Sequence, residues 1–226
     1  MASAQQSLWA NLGDGLSVHR TQPHHAAALE RLQMLVFPTL SDDERFKAEH
    51  YLRHLELFPQ GQFVVVANGE QVVGMTTTLR LDFNLAHSQH RFADVFAGGW
   101  LSSHQPLGQW LYGADIGTDP AFRGRGIARA LYAARHHTVA ALGLRGQLTV
   151  GMPSGLGALS HALSADQYYT ELVAGQRTDP TLSAQIRIGF EPRGLIADYI
   201  NDPVCAGYGV LLVLPADRPI ALRAGT

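Results

Sequence analysis

The fold of this chain is decided by Thr118-Asp-Pro-Ala-Phe-Arg-Gly-Arg-Gly-Ile-Ala128. It follows Leu111-Tyr-Gly-Ala-Asp-Ile-Gly-Thr118, an apolar run that is typical of a β-strand. The residues after it predict a helix, because apolar and small side chains recur at helical spacing at Ile127, Leu131, Ala134 and Thr138. Gly143 can end that helix. A strand, a glycine-rich turn and a helix in this order indicate a mixed α/β domain.

The glycine-rich turn is predicted to bind an anion. The free N–H groups of the turn and of the helix N-terminus point at one place, where the helix dipole also favours negative charge. Gly124 and Gly126 allow the backbone to approach a ligand closely because they carry no Cβ atom. Arg123 and Arg125 add local positive charge. A pyrophosphate group is the natural occupant of such a turn.

Two common pyrophosphate motifs do not fit the turn. The Walker pattern needs Gly-Lys-Ser/Thr, which does not follow here. The dinucleotide fingerprint needs glycine or alanine at the position of Arg129, and an acidic residue about 20 residues further on. Residues 140–149 contain neither aspartate nor glutamate.

The pattern that fits is Arg-x-x-Gly-x-Ala, formed by Arg123, Gly126 and Ala128. In its strand–turn–helix context, this pattern resembles the acyl-CoA loop of the GNAT acetyltransferases. Ile188-Gly-Phe190 is similar to the end of the last helix of that family, before its two final strands. The resemblance covers about residues 16–214.

A narrower resemblance is to GNAT domains that are often joined to carbon–nitrogen hydrolases in bacteria. It is carried by His104, Tyr112-Gly-Ala-Asp115, Asp179-Pro-Thr-Leu182 and Gly207-Tyr-Gly-Val-Leu-Leu212. No hydrolase domain is recognised in the sequence.

The resemblance implies a single α/β domain over residues 16–226, with a mixed twisted central sheet and helices on both faces. Residues 1–15 are polar and contain glycine, and we expect a loose leader there. Two insertions are expected near residues 82–110 and 152–178. The first is a long stretch without periodicity, and such a loop in a compact domain is usually functional or mobile.

Three local signals predict further elements. Asn68-Gly69, between Phe63–Ala67 and Gln71–Met75, predicts a β-hairpin, because both turn positions need a positive φ. Ser41-Asp-Asp-Glu44 and Ser164-Ala-Asp-Gln167 are capping boxes, and each predicts the start of a helix.

Composition excludes several classes of protein. The 17 basic and 19 acidic residues leave a net charge of −2, so no whole-chain basic field exists for nucleic acid or an anionic membrane. Cys205 is the single cysteine, which excludes an internal disulfide and a cysteine-based zinc site. Adjacent histidines on a helix do not face each other, so no metal site is expected.

With neither a signal peptide nor an apolar run of about 20 residues, we expect a cytoplasmic protein.

The resemblance also implies a mechanism with acetyl-CoA as cosubstrate. A substrate amine attacks the acetyl carbon directly, in a ternary complex, while a strand N–H polarises the thioester carbonyl. The pantetheine arm would pair with the strand edge, and the phosphates would bind the turn and the helix start. The residues implied for this binding are Ile116, Gly117, Thr118, Arg123, Gly124, Arg125, Gly126, Ile127, Ala128 and Arg129.

Two proton transfers need a residue each: a base for the attacking amine and an acid for the departing thiolate. Asp115 is the candidate base, and the alternative is a carboxylate held by backbone donors or an arginine. His104 is a second candidate base, with a reference pKa of about 6.5, and the alternative is a loop histidine that bonds backbone.

The acid of the resembled family is commonly a tyrosine four residues before the glycine of Gly189-Phe190. Gln185 holds that position and cannot protonate a thiolate. The candidate substitutes are Tyr112, Tyr168, Tyr169 and Tyr199, or solvent. Tyr168 and Tyr169 can equally be packing residues of the helix that Ser164 opens. Strict strand alternation places Tyr112 and Asp115 on opposite faces of the sheet.

The preferred function is therefore acetyl transfer to an amine of a small molecule or protein. The alternatives are transfer of another acyl group, an oxygen acceptor, and a non-catalytic acyl-CoA-binding module. An exposed final strand would allow pairing with a second copy of the chain, as a homodimer.

Overall fold

The computed structural model of the chain describes residues 7–222. One sheet has the strand order β1-β2-β3-β4-β5-β6-β8-β7. The strands are β1 (Leu8–Gly13), β2 (Leu16–Arg20), β3 (Phe63–Ala67), β4 (Gln71–Leu81), β5 (Trp110–Thr118), β6 (Gly146–Gly151), β7 (Glu191–Ile196) and β8 (Gly209–Pro215). Neighbouring strands are antiparallel except β5 and β6, which are parallel.

Helices cover both faces of the sheet, which confirms the predicted fold class. They are α1 (Ala26–Val36), α2 (Ala48–Leu57), α3 (Phe92–Phe96), α4 (Ile127–Ala141), α5 (Ala165–Val173) and α6 (Leu182–Ile188). Helices α1 and α2 pack on one face, against the side chains of Val64 and Val66. Helix α4 packs on the other face, against Val65 and Phe63. Among the residues that the structure describes, no helix has the length and apolar character needed to cross a membrane.

The hairpin of β3 and β4 confirms its sequence signal. Asn68 and Gly69 have φ angles of 51° and 79°, the two positive values that this turn requires. Ser164 also caps its helix as predicted, because its Oγ atom accepts the Gln167 N–H at 3.2 Å. Both signals are local, and the structure reproduces them.

The capping box at residue 41 does not start a helix. Helix α2 begins at Ala48 instead. The carboxylate of Glu44 accepts a hydrogen bond from the Asn201 N–H at 2.8 Å, and the Ser41 hydroxyl donates to the same oxygen at 3.2 Å. Glu44 therefore ties this segment to a distant loop and does not cap a local helix.

The two ends of the sheet differ from expectation. Part of the segment predicted as a loose leader forms β1, where Trp9 packs edge-on against Phe63 at 6.3 Å. Residues 1–6 of that segment lie outside the described residues. The prediction of an exposed final strand is wrong, because β8 is paired on both sides, with β6 and β7. The two edges are β1 and β7.

Strand β5 contains a β-bulge. Thr77 of β4 is opposite Asp115, but Thr78 is opposite Gly113, so Ala114 is an extra residue. Tyr112 and Asp115 therefore face the same side of the sheet, towards α1 and α2. The prediction that alternation separates these two side chains is wrong, because the extra residue reverses the alternation between them.

Candidate active site

The central feature of the site is a fork between β5 and β6. Their parallel pairing starts at Leu111 and Gln147 and ends at Gly113 and Thr149. Beyond that point β5 continues along β4, and β6 continues along β8. Residues 114–118 of β5 consequently have no strand partner on the β6 side. The free edge includes Ile116, Gly117 and Thr118, the strand residues at which the pantetheine arm is predicted to bind.

A cavity of about 820 Å³ opens into the fork. It is bounded by the free edge of β5, the glycine-rich turn, one side of α4 and α6, the end of α1, and the loop after β7. Of the ten residues predicted to bind the cofactor, nine line this cavity: Ile116, Gly117, Thr118, Arg123, Gly124, Gly126, Ile127, Ala128 and Arg129. The cavity is continuous from the turn to the α1 face of the sheet.

The turn before α4 has open space where a ligand would lie. The Asp119 carboxylate accepts the Ala121 N–H at 2.9 Å and shapes the start of the turn. Gly124 and Gly126 have φ angles of 78° and 81°, in the left-handed region that favours glycine. A Cβ atom at either position would meet no other atom within 4 Å. The turn before α4 thus has free space beside it at both glycines, which an anion site at this helix N-terminus would need.

Positive charge is concentrated at this end of the cavity. The lining here includes Arg123, Arg129 and Arg187. Within residues 7–222, none of these arginines pairs with an acidic side chain. Arg125 lies elsewhere: its Nη2 atom donates to the Asp14 carbonyl at 3.0 Å. The structure therefore brings three arginines together at this end of the cavity, and sequence reasoning did not identify one of them, Arg187.

Asp115 lies at the floor of the cavity, on the bulge of β5. Its carboxylate accepts hydrogen bonds from the Thr77 N–H at 2.6 Å, from Gln33 at 2.6 Å and from the Tyr51 hydroxyl at 3.3 Å. Burial raises the pKa of Asp115 above its ordinary value, and the charge of Arg135 and the Thr77 hydrogen bond oppose that rise. A carboxylate with a raised pKa is a stronger base than an ordinary aspartate.

Arg135 supports the bulge from the opposite face. Its side chain is only 1% exposed, and its Nε atom donates to the Thr76 hydroxyl at 2.6 Å. Its Nη2 atom donates to the carbonyl of Asp115. Gly113 is required beneath it, because a Cβ atom there would clash with the guanidinium. The buried arginine thereby holds β4 and β5 together where the strands change register.

The cavity is acidic on the α1 face. Glu44, Asp115 and Asp202 line it there, together with aromatic side chains that include Phe46 and Phe92. All the basic side chains among the described lining residues are at the turn, the start of α4 and α6. The cavity therefore carries opposite charges on the two faces of the sheet.

Among the other candidate catalytic residues, Tyr199 lines the cavity on its α1 face, whereas Tyr112, His104, Tyr168 and Tyr169 do not line it. Tyr112 is buried and bonds the His90 ring at 2.7 Å. His104 stacks on a phenylalanine and accepts the Arg80 N–H at 3.1 Å. The Tyr168 hydroxyl donates to the Asp179 carboxylate at 2.7 Å.

Tyr169 and Cys205 also lie outside the lining of the cavity. Tyr169 is half-buried on α5 and packs against the apolar cluster between α5, α6 and the sheet. Burial raises the pKa of the Cys205 thiol to about 11, which keeps it protonated at neutral pH. Within residues 7–222, no three His, Cys, Asp or Glu side chains come together to hold a metal ion.

Sequence reasoning missed several lining residues. Gln33 occupies an inward position of α1, where a polar residue interrupts the apolar stripe. Tyr132 lies four residues after Ala128, on the same side of α4, and that spacing is visible in the sequence. Glu44 and Asp202 gave no signal, because only the fold brings their segments to the cavity.

Comparisons with known proteins place the chain in a family. The sequence profile of the acetyltransferase (GNAT) family matches residues 26–160. The N-acetyltransferase YkwB of Bacillus subtilis, whose function is uncharacterized, is 30% identical over 182 residues, which cover 80% of each chain. The probable hydrolase YhcX of the same organism is 30% identical over 171 residues. Those residues cover 76% of this chain but only 33% of YhcX, so the chain spans about a third of that relative's length.

Solved structures agree on the fold. The GNAT-like decarboxylase GphF, in complex with isobutyryl-CoA, superposes with a TM-score of 0.72 at 22% identity. The match covers 88% of this chain and 98% of GphF. The family profile, the sequence relatives and the forked sheet lead to the same assignment, and the chain belongs to the GNAT acetyltransferase family.

Proposed function

We propose that this protein transfers an acetyl group from acetyl-CoA to an amine by direct attack. The observation that carries the proposal is the fork between β5 and β6, which opens beside an uncovered helix N-terminus. One element offers a free strand edge for the pantetheine amides, and the other offers N–H groups for the pyrophosphate. The complex of GphF with isobutyryl-CoA supports an acyl-CoA ligand for this fold.

The residues divide the chemistry between them. Gly124 and Gly126 leave room for the pyrophosphate at the start of α4, and Arg123, Arg129 and Arg187 supply positive charge around it. In the reaction the amine nitrogen forms a bond to the acetyl carbon, and the carbon–sulfur bond of the thioester breaks. The proton that the nitrogen loses goes to Asp115.

The charge of the cavity favours an amine over an oxygen acceptor. An alkylammonium ion is attracted to the carboxylates of Glu44, Asp115 and Asp202, while the aromatic side chains beside them accept its apolar body. The bound ammonium group loses its first proton to solvent, and the raised-pKa carboxylate of Asp115 accepts the second proton when the neutral amine attacks.

Acceptors of equal length and different charge test this electrostatic preference. We expect 1,4-diaminobutane to react with a higher kcat/KM than butylamine, and butylamine to react faster than 4-aminobutyrate. Free thiol release from acetyl-CoA measures each rate at low ionic strength, and added salt should reduce the differences. Equal rates for the three amines, or a preference for 4-aminobutyrate, would contradict the electrostatic argument.

Substitution of Asp115 by asparagine tests the base. We expect kcat/KM at neutral pH to fall by about 100-fold, the scale of a lost general base. The acid limb of the pH–rate profile should also disappear. An exposed aspartate outside the cavity provides the matched control, Asp43→Asn, which should leave the profile unchanged. An unaltered profile in Asp115→Asn would exclude Asp115 as the base.

The same variant has a predicted effect on stability. Because the pKa of Asp115 is raised in the folded protein, the native state keeps this proton at a pH where the unfolded chain has lost it. This contribution to the wild-type free energy of unfolding therefore decreases as pH rises from about 4 to the native pKa, and then stays constant. Asp115→Asn should lack this decrease, as measured by urea unfolding between pH 4 and pH 8.

Two alternatives have distinct outcomes. Thermal unfolding with acetyl-CoA, CoA, ATP and NAD tests the site, because a ligand that binds only the native state raises the midpoint. A rise with the CoA compounds alone, followed by thiol release with amines, is the expected result. A rise without thiol release would indicate a non-catalytic acyl-CoA-binding module. Faster release from isobutyryl-CoA than from acetyl-CoA would indicate transfer of another acyl group.

We propose a bacterial, cytoplasmic setting for this activity. The sequence relatives are from Bacillus subtilis, and a lone buried cysteine is typical of a reducing compartment. We also propose a homodimer. Its two copies would pair through the edge strand β7, which has one strand neighbour within the described sheet.

A further inference from the structure

We infer that the Tyr132 hydroxyl donates the proton that the departing CoA thiolate needs, and that Gln185 positions this hydroxyl. The inference rests on the proposed function, and it names the acid that the reaction requires. Tyr132 belongs to α4 and Gln185 to α6, and both side chains line the cavity.

The hydrogen bond between the two side chains leaves the tyrosine proton free. The Gln185 Nε2 atom donates to the Tyr132 hydroxyl oxygen at 2.7 Å, and both residues are buried. Because the oxygen accepts this bond, the O–H proton points elsewhere, and no protein acceptor for it is found among the described residues. The Tyr132 side chain is one of those that line the cavity, so a ligand there can accept this proton.

The position of Tyr132 agrees with the path of an acyl-CoA. Ala128 and Arg129 lie one turn earlier on the same side of α4, beside the anion site. Thr149, where the two strands separate, lies further along the same cavity. A pantetheine arm that runs from the anion site to the fork therefore passes Tyr132.

Several other hydroxyl groups in the lining already have hydrogen-bond partners or lie on the other face of the sheet. The Ser154 and Thr181 hydroxyls bond each other at 2.6 Å, and the Thr149 hydroxyl donates to the Gly113 carbonyl at 3.3 Å. Tyr199 lies on the α1 face, in the apolar cluster of α1 and α2. The hydroxyls of Thr39 and Thr118 also line the cavity, but they are alcohols and much weaker acids than a phenol, so Tyr132 is the better proton donor on the CoA side of the fork.

The residues around the Tyr132 hydroxyl allow it to give its proton to the thiolate and to be protonated again afterwards. As the carbon–sulfur bond breaks, its electron pair goes to sulfur, and the Tyr132 proton passes to that sulfur to give the neutral thiol. The phenolate left behind is stabilised by the Gln185 N–H and by Arg135, whose Cζ atom lies 5.2 Å from the ring centroid. The proton taken from the amine by Asp115 returns to the phenolate through solvent. Burial raises the pKa of Tyr132, which keeps the donor protonated at neutral pH.

Three variants separate a proton donor from a packing residue. Tyr132→Phe removes only the hydroxyl, Gln185→Leu removes only the amide, and the double variant removes both. The double variant leaves neither polar group buried without a partner, so it folds even where a single change is destabilising. The control is Tyr208→Phe, the same change at a half-buried tyrosine outside the cavity.

We expect Tyr132→Phe and the double variant to lose about 10- to 100-fold in kcat, with an unchanged dissociation constant for acetyl-CoA. Gln185→Leu should lower kcat by about threefold when Tyr132 is present and should have no further effect when it is added to Tyr132→Phe, because Gln185 acts through the Tyr132 hydroxyl. The fall in wild-type kcat at alkaline pH should disappear in Tyr132→Phe. Rates are measured by thiol release with the most reactive amine of the charge series, and isothermal titration measures acetyl-CoA binding.

The possible failures are distinguishable. A folded double variant that keeps the wild-type kcat and alkaline limb overturns the role of Tyr132 while acetyl transfer stands. A wild-type protein that binds acetyl-CoA but releases no thiol with any of the amines overturns the proposed function, and the role of Tyr132 falls with it. A loss of acetyl-CoA affinity equal to the loss of rate would assign Tyr132 to binding instead of proton donation.

Discussion

Replacement of Gly126 by valine is expected to abolish acetyl-CoA binding while the chain stays folded. Gly126 is the N-cap of α4 at a φ of 81°, and a Cβ atom there enters the open space where the pyrophosphate is expected. A valine excludes the anion and disturbs the backbone N–H groups that face it. Several charge-assisted hydrogen bonds are lost together, so we expect the dissociation constant to rise by at least about 100-fold, or about 2.7 kcal/mol.

The matched control for this variant is Gly143→Val. Gly143 lies just after α4, has a φ of 62°, and also has no atom within 4 Å of an added Cβ. Both substitutions therefore impose left-handed strain, but Gly143 lies outside the cavity lining. Titration calorimetry should show normal acetyl-CoA affinity for Gly143→Val. Equal affinities for the two folded variants would refute the anion site at the turn.

Replacement of Arg135 by methionine is expected to cause the largest loss of stability. Arg135 is buried, and it binds the Thr76 hydroxyl and the Asp115 carbonyl across the register change of β4 and β5. Methionine fills much of the volume but removes the buried positive charge near the Asp115 carboxyl. The loss of one buried partner of this kind costs about 3–5 kcal/mol in the free energy of unfolding.

Urea unfolding at pH 7 measures this cost. An exposed arginine on α1 provides the control, Arg31→Met, which should change the free energy of unfolding by less than about 0.5 kcal/mol. The loss in Arg135→Met should be smaller at acid pH, because a protonated Asp115 does not need the opposing charge. A loss below about 1 kcal/mol at pH 7 would show that the bulge is held by the strands alone.

Local sequence signals predicted the glycine-rich turn at residues 119–126 and the strand and helix on either side of it. The strand, the glycine-rich turn and α4 were predictable because turn chemistry and helical periodicity act over a few residues. The same holds for Asn68-Gly69 and for the cap at Ser164. The capping box at Ser41 failed because a longer-range partner, the Asn201 N–H, binds Glu44.

The catalytic geometry depends on contacts that no local pattern contains. Strict alternation separates Tyr112 from Asp115, but one extra residue, Ala114, turns both to the same face. The side-chain partners of the Asp115 carboxylate come from α1 and α2, and one of them, Gln33, is 82 residues away in the sequence. Tyr132 stood at a visible helical spacing from Ala128, but its role depends on Gln185 of a different helix.

The sequence by itself therefore determined the α/β class, the glycine-rich turn before α4 and the family, because these depend on short stretches of backbone chemistry. Only the tertiary structure decided which titratable groups meet in the cavity and which are removed from it. The physical reason is that a pKa and a proton path depend on burial and on neighbours within a few ångströms, and folding draws those neighbours from distant parts of the chain.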